Sequence, residues 1–178
     1  MKEASTPEVA MAAGLVAGAG FKEESGVPRF KYTVECVGAD GKVRWTETFE
    51  NLVTTAGKTD IVDKYFKGSG YTAAWYLGLA GAGTKAAGDT LASHAGWTEI
   101  TAYTGNRQAI TFGSTSGGSN TASAVSFSIT GTATVAGAFI ASAASGTSGT
   151  LYSVGDFAAS RSVLSGDQLN VTMTVSVT

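Results

Sequence analysis

The amino-acid sequence predicts a mainly β fold: a jelly-roll-like β-sandwich of about eight strands with one short helix and an extended N-terminal arm. Apolar and small polar residues alternate through most of the 178-residue chain, which is the period of a strand with two different faces. Glycine- and serine-rich segments, such as residues 113–120 and 142–149, separate these runs and are typical of turns that join strands. The length fits one domain, so we assign residues 1–28 to the arm and residues 29–178 to the β-sandwich domain.

The sandwich begins with a predicted hairpin. Residues 30–37 and 42–50 both alternate, and the Asp40-Gly41 pair between them is typical of a tight turn. The alternation of the second run slips near Thr48, but its apolar residues should share one face toward the core or a partner. These residues are Val43, Trp45 and Phe49.

One helix is predicted after the hairpin. Thr54 or Thr55 can cap its first turn, and Gly68 can end it. Its apolar residues are spaced as expected for one side of a helix, so this side should pack while the lysines stay in water. The residues on the packed side are Ile61, Val62, Tyr65 and Phe66.

The remainder of the chain is predicted to form strands. The most regular strand is residues 168–177, in which Leu169, Val171 and Met173 alternate with polar residues. Residues 80–103 form a long connection. The other predicted strands are residues 74–79, 108–112, 122–130, 132–141 and 150–154.

Composition argues against nucleic-acid and membrane partners. The formal net charge is −2, and Lys and Arg form no basic stripe of the kind that binds phosphate backbones. The apolar run at residues 9–20 is shorter than the roughly 20 residues that a transmembrane helix needs, and Glu3 and Glu8 offset the positive charge expected of a secretory leader. Cys36 is the only cysteine, so no intramolecular disulfide forms and cytoplasmic assembly is expected.

The sequence contains no convincing catalytic constellation, so we expect no enzyme activity, no cofactor and no metal. His94 is the only histidine, and its neighbours Ser93 and Asp89 do not make a triad by sequence proximity alone. One histidine and one distant cysteine cannot supply a closed zinc site. Residues 78–85 approach a phosphate-binding loop, but the order Gly-Thr-Lys reverses the lysine and hydroxyl positions that such a loop needs.

The second half of the chain is poor in charge. Between residues 109 and 178 the only charged side chains are Asp156, Arg161 and Asp167. Strands with so little charge are poorly protected against edge-to-edge association. We therefore interpret the protein as a structural assembly protein whose sandwich associates with itself as a dimer or trimer.

Four segments of the chain resemble the virion structural proteins of tailed phages. They are residues 51–57 (NLVTTAG), 75–79 (WYLGL), 87–99 (AGDTLASHAGWTE) and 161–171 (RSVLSGDQLNV). The resemblance implies a β-sandwich subunit that decorates or cements a capsid on its outer surface, after assembly in the host cytoplasm. Our hypothesis is a cement protein that binds the major capsid protein and stabilises the head by bridging its subunits.

Two sets of residues are predicted to make the contacts. The arm is expected to order on the capsid surface, and aromatic residues around the connection at 80–103 offer a second interface. Trp75 should be buried, whereas Trp97 is the better interface candidate. The capsid-contact residues are Val9, Met11, Leu15, Val16 and Phe21, and the interface residues are Trp97, Tyr103 and Tyr76.

Two other function classes remain as alternatives. A tail-associated or receptor-binding virion protein would use the same sandwich to recognise a host glycan, with an exposed ring such as Trp97 stacking on a sugar. A depolymerase would need two carboxylates facing one glycosidic bond. Glu47 and Glu50, the nearest approach to such a pair, point to opposite faces of a strand.

Overall fold

The structure, a computed structural model, describes residues 28–71 and 73–177. Within these ranges, eleven strands form two antiparallel sheets that enclose a common core. The predicted mainly β sandwich with one short helix is therefore confirmed. All eight predicted strands are present, and the three additional strands are only two or three residues long. Residues 1–27, which make up almost all of the predicted arm, lie outside the described residues.

The first sheet is built around the hairpin and the last strand of the chain. Its strands are β1 (Arg29–Val37), β2 (Val43–Glu50), β7 (Ser119–Thr121), β8 (Val125–Ser128) and β11 (Gln168–Ser176). β1 lies between β2 and β11, and both β7 and β8 pair with the other side of β11. β1 and β11 pair from Arg29 opposite Ser176 to Val37 opposite Gln168. The two ends of the domain thus meet in the middle of one sheet.

The second sheet carries the segments between the helix and the last strand. Its strands are β3 (Leu52–Val53), β4 (Tyr76–Ala80), β5 (Glu99–Ile100), β6 (Gln108–Ala109), β9 (Ala133–Ala141) and β10 (Leu151–Val163). The order is β3-β10-β9-β4, and both β5 and β6 pair with the outer side of β4. β10 continues well beyond the predicted strand at 150–154, because it resumes pairing with β9 after an irregular stretch between Asp156 and Arg161.

Aromatic side chains from both sheets fill the space between them. Tyr32 stacks on Phe49 with ring centroids 4.7 Å apart, and Phe49 meets Phe157 of the second sheet at 5.1 Å. The Tyr32 hydroxyl lies 3.5 Å from the Ser153 hydroxyl across the sandwich. Burial raises the pKa of Tyr32 well above its usual value, so this hydroxyl stays neutral in the core.

The helix α1 (Thr55–Ile61) continues into a π-helical turn (Val62–Phe66). Of the two predicted caps, Thr54 is the one that caps α1, because its side-chain oxygen accepts a hydrogen bond from the Gly57 backbone N at 3.0 Å. A side chain at Gly57 would collide with the carbonyl oxygen of Tyr152. The glycine therefore lets the helix lie directly on β10.

The inner face of β2 contains an acidic residue. Trp45, Glu47 and Phe49 point toward the second sheet, so the alternation of the strand is regular. It seemed to slip near Thr48 because a carboxylate occupies a core position where the sequence pattern expects an apolar residue. Arg161 of β10 neutralises it, and its Nε donates a hydrogen bond to the carboxylate at 2.6 Å. This ion pair joins the two sheets, and removing Arg161 would leave the buried Glu47 carboxylate without its partner.

Val43 does not face the core, since this residue is 54% exposed, and its predicted alternative, a contact with a partner, stays a prediction. The pairing of β1 and β2 shifts register between Cys36 and Val37, which places Val43 opposite Val37. A register shift of this kind interrupts the alternation of side chains. The first residue of β2 therefore no longer follows the inward direction of Trp45.

The prediction of a packed helix face is wrong for three of its four residues. Ile61 is half-buried, but Val62, Tyr65 and Phe66 are 56%, 81% and 75% exposed. α1 packs against β10, whereas the π-helical turn that follows has a different angular spacing between side chains. Residues that would share one side of a regular α-helix consequently point into solvent.

Candidate binding surface at the helical end

An apolar pocket of about 300 Å³ lies beside the helix, where β1 begins and β11 ends. Aromatic rings form most of its wall, and Asp60 and Lys64 of the helical segment supply charges at its edge. Concave, mostly apolar sites with a few polar groups are the usual form of a binding pocket. The aromatic wall residues are Phe30, Tyr65, Tyr71, Trp75, Phe112 and Tyr152.

The wall of the pocket is held by contacts among the rings. The Trp75 ring meets Tyr152 edge to face at 5.1 Å, and Phe30 meets the same ring at 5.6 Å. The indole Nε1 of Trp75 donates a hydrogen bond to the Tyr71 hydroxyl at 2.9 Å. Edge-to-face pairs and a hydrogen-bonded indole fix the orientation of large side chains. The pocket is therefore largely formed before anything binds to it.

The hydroxyl group of Tyr152, one of the wall residues of the pocket, is neutral. Burial raises the pKa of Tyr152 well above its usual value, and the nearby Asp60 carboxylate and Tyr71 raise it further. A neutral phenol can donate or accept a hydrogen bond, but it is no base at physiological pH. This arrangement is suited to binding, not to proton transfer.

Next to the pocket, the π-helical turn presents large apolar side chains to solvent. We call Val62, Tyr65 and Phe66 the exposed aromatic turn. The Tyr65 and Phe66 rings contact each other edge to face at 5.0 Å, so each restricts the other. Contiguous exposed apolar residues mark contact sites, and aromatic residues are enriched among those that dominate binding. Short π-helical stretches are also frequent at functional sites.

A comparison with protein families matches residues 52–177 to the model of the podophage GP4 fiber I protein gp80 family. The chain belongs to this family. The matched segment contains the helix, the whole second sheet and three strands of the first sheet, whereas the β1–β2 hairpin precedes it. The chain is thus a phage virion structural protein, which confirms the predicted class, but the family is a fiber protein and not a capsid decoration protein. The comparison with curated proteins gave no match.

Trp97, predicted at an interface, lies in a second apolar cluster on the outer face of the second sheet. Only 3% of the residue is exposed, its ring packs 5.3 Å from Phe139, and His94 stacks on it at 4.2 Å. Its Nε1 donates to the Asp89 carboxylate at 2.9 Å. Trp75 is half-buried instead. The expected order of exposure of the two tryptophans is therefore wrong.

The other predicted contact residues occupy different environments. Tyr103 is buried against Phe127, with ring centroids 4.8 Å apart, and burial together with the Glu99 charge raises its pKa to about 12. Tyr76 is half-buried on β4. The interface roles of Trp97, Tyr103 and Tyr76 stay predictions. The predicted capsid contacts Val9, Met11, Leu15, Val16 and Phe21 lie outside the described residues.

The polar residues considered for catalysis make hydrogen bonds and ion pairs that stabilise the loops in which they lie. The Asp89 carboxylate accepts hydrogen bonds from the Trp97 indole and the Ala86 backbone N, and the His94 Nδ1 lies 3.1 Å from the Trp97 carbonyl oxygen. The side chain of Lys85 is buried and pairs with Asp156 at 2.5 Å, which closes the loop that resembled a phosphate site. Across residues 28–71 and 73–177, no cluster of three or more His, Cys, Asp or Glu side chains could hold a metal.

Arg107 is a structural residue that the sequence did not reveal. Its guanidinium makes two hydrogen bonds to the Glu99 carboxylate, at 2.8 and 2.7 Å, and donates to the carbonyl oxygens of Ala143 and Gly146. It also lies over the Phe139 ring, 5.2 Å from the centroid. One side chain thus fastens two loops to the second sheet.

The described part of the chain contains no helix that is both long and apolar enough to cross a membrane.

Proposed function

We propose that the chain is a non-catalytic structural subunit of a phage fibre, located at the tail of the virion. The family match over residues 52–177 carries this proposal. It includes the helix, the exposed aromatic turn and most of the pocket wall. The tail-associated alternative therefore has more support than the capsid cement hypothesis.

The construction of the sandwich supports a mechanical role. The Arg161–Glu47 ion pair and the Tyr32–Ser153 contact join the two sheets, while Arg107 fastens the loops on the outer side. A fibre subunit has to keep its shape while it is in contact with its neighbours, and it needs no reactive group. The helical end supplies a contact surface on this rigid body.

The residue that was expected to stack on a host glycan is not accessible. The Trp97 ring is covered by His94 on one side, and its indole N–H is used by Asp89. Recognition of a sugar through Trp97 therefore has no support in its position. The surface with open aromatic rings is the helical end.

The location is tested on purified virions. The copy number of the chain is measured against the major capsid protein by quantitative mass spectrometry, and gold-labelled antibodies against the chain are imaged on the same particles. We expect few copies per virion and gold at the tail. A copy number comparable to that of the capsid protein, with gold over the head, would contradict the fibre proposal and favour the cement hypothesis.

A further inference from the structure

We draw no further inference here: the strongest candidate, the apolar pocket beside the exposed aromatic turn at the helical end of the sandwich, carries nothing beyond the contact surface already described, because nothing in the structure shows what covers it.

Discussion

Two aromatic regions of this chain differ in solvent exposure: one is buried and the other is exposed. Around Trp97, a loop of the connection between β4 and β5 folds onto the outer face of the second sheet and buries the indole. At the exposed aromatic turn, Tyr65 and Phe66 contact each other but little else in the described structure. The sequence suggested the reverse, a packed helix face and an accessible Trp97.

The difference between the two regions comes from the surfaces that distant strands offer them. β9 is buried on both faces over most of its length, so its outer face needs a cover, which the Trp97 loop provides. The turn lies beyond the part of the helix that packs on β10, and none of the described strands covers it. A ring becomes core or contact surface according to what the rest of the fold places beside it.

The largest difference in the free energy of unfolding is expected between the variants Trp97→Ala and Phe66→Ala. Trp97→Ala removes a buried ring and leaves a cavity on the second sheet, so it should lower the free energy of unfolding by about 3–5 kcal/mol. Phe66→Ala changes an exposed side chain and should lower it by less than about 0.5 kcal/mol. Urea unfolding of dilute protein, followed by circular dichroism, measures both. Equal losses in the two variants would remove the distinction between the regions.

A smaller difference in the free energy of unfolding is expected between variants that remove the Asp89 and the Asp63 carboxylates. Asp89→Ala removes the acceptor of the Trp97 indole and of the Ala86 backbone N, and a buried donor is then left unpaired, so we expect a loss of about 2 kcal/mol. Asp63→Ala breaks only the solvated contact with Lys67, which should cost about 0.5 kcal/mol or less. Both are measured by the same urea titration. A larger loss for Asp63→Ala would show that the turn is stabilised by contacts other than those described here.

Within the pocket, Tyr71→Phe deletes the hydroxyl that accepts the Trp75 indole hydrogen bond. This bond is solvent-exposed, so the loss of stability should stay below about 1 kcal/mol. The tryptophan emission spectrum of the protein should nevertheless shift, because the Trp75 indole loses its partner. Tyr65→Phe, whose hydroxyl makes no hydrogen bond within the described structure, is the control and should leave the spectrum unchanged. A spectrum that both variants leave unchanged would show that the wall of the pocket is not fixed by this bond.

The smallest effect is a pH dependence confined to the buried groups. Burial, with the nearby Asp167 charge, raises the pKa of the Cys36 thiol to about 11. In the unfolded chain the thiol loses its proton at a lower pH than in the folded chain, so the free energy of unfolding falls as the pH rises through about 9 and beyond. Cys36→Ala should flatten this decline between pH 8 and 9.5 in thermal unfolding scans. The same slope in both proteins would show that the thiol is not shielded as described.

Local patterns were sufficient for the long strands and insufficient where a residue depends on a distant partner. The regular alternation of Leu169, Val171 and Met173 with polar residues predicts β11, because the strand buries one face and leaves the other more exposed. Glu47 looked like a break in the alternation, since its partner Arg161 lies 114 residues away in the chain. The two-residue strands β3 and β5 are too short to show any period.

The candidate surface was harder to predict for a related reason. A helix that widens into a π-helical turn displaces its side chains by an amount that an α-helical period does not anticipate. For Trp97 a signal was present but indirect. The uninterrupted run of small and apolar residues at 135–141 indicates a strand buried on both faces, and such a strand needs an outer cover.

The most direct test of the account is hydroxyl-radical labelling of these two regions in the dilute isolated chain and in purified virions. We predict that Tyr65 and Phe66 are strongly labelled in the isolated chain and lose most of that labelling in the virion, while Trp97 stays weakly labelled in both. Equal labelling of Phe66 in the two states would contradict the claim that the helical end is the contact surface of this fiber family member. Strong labelling of Trp97 in the isolated chain would contradict its burial against the second sheet.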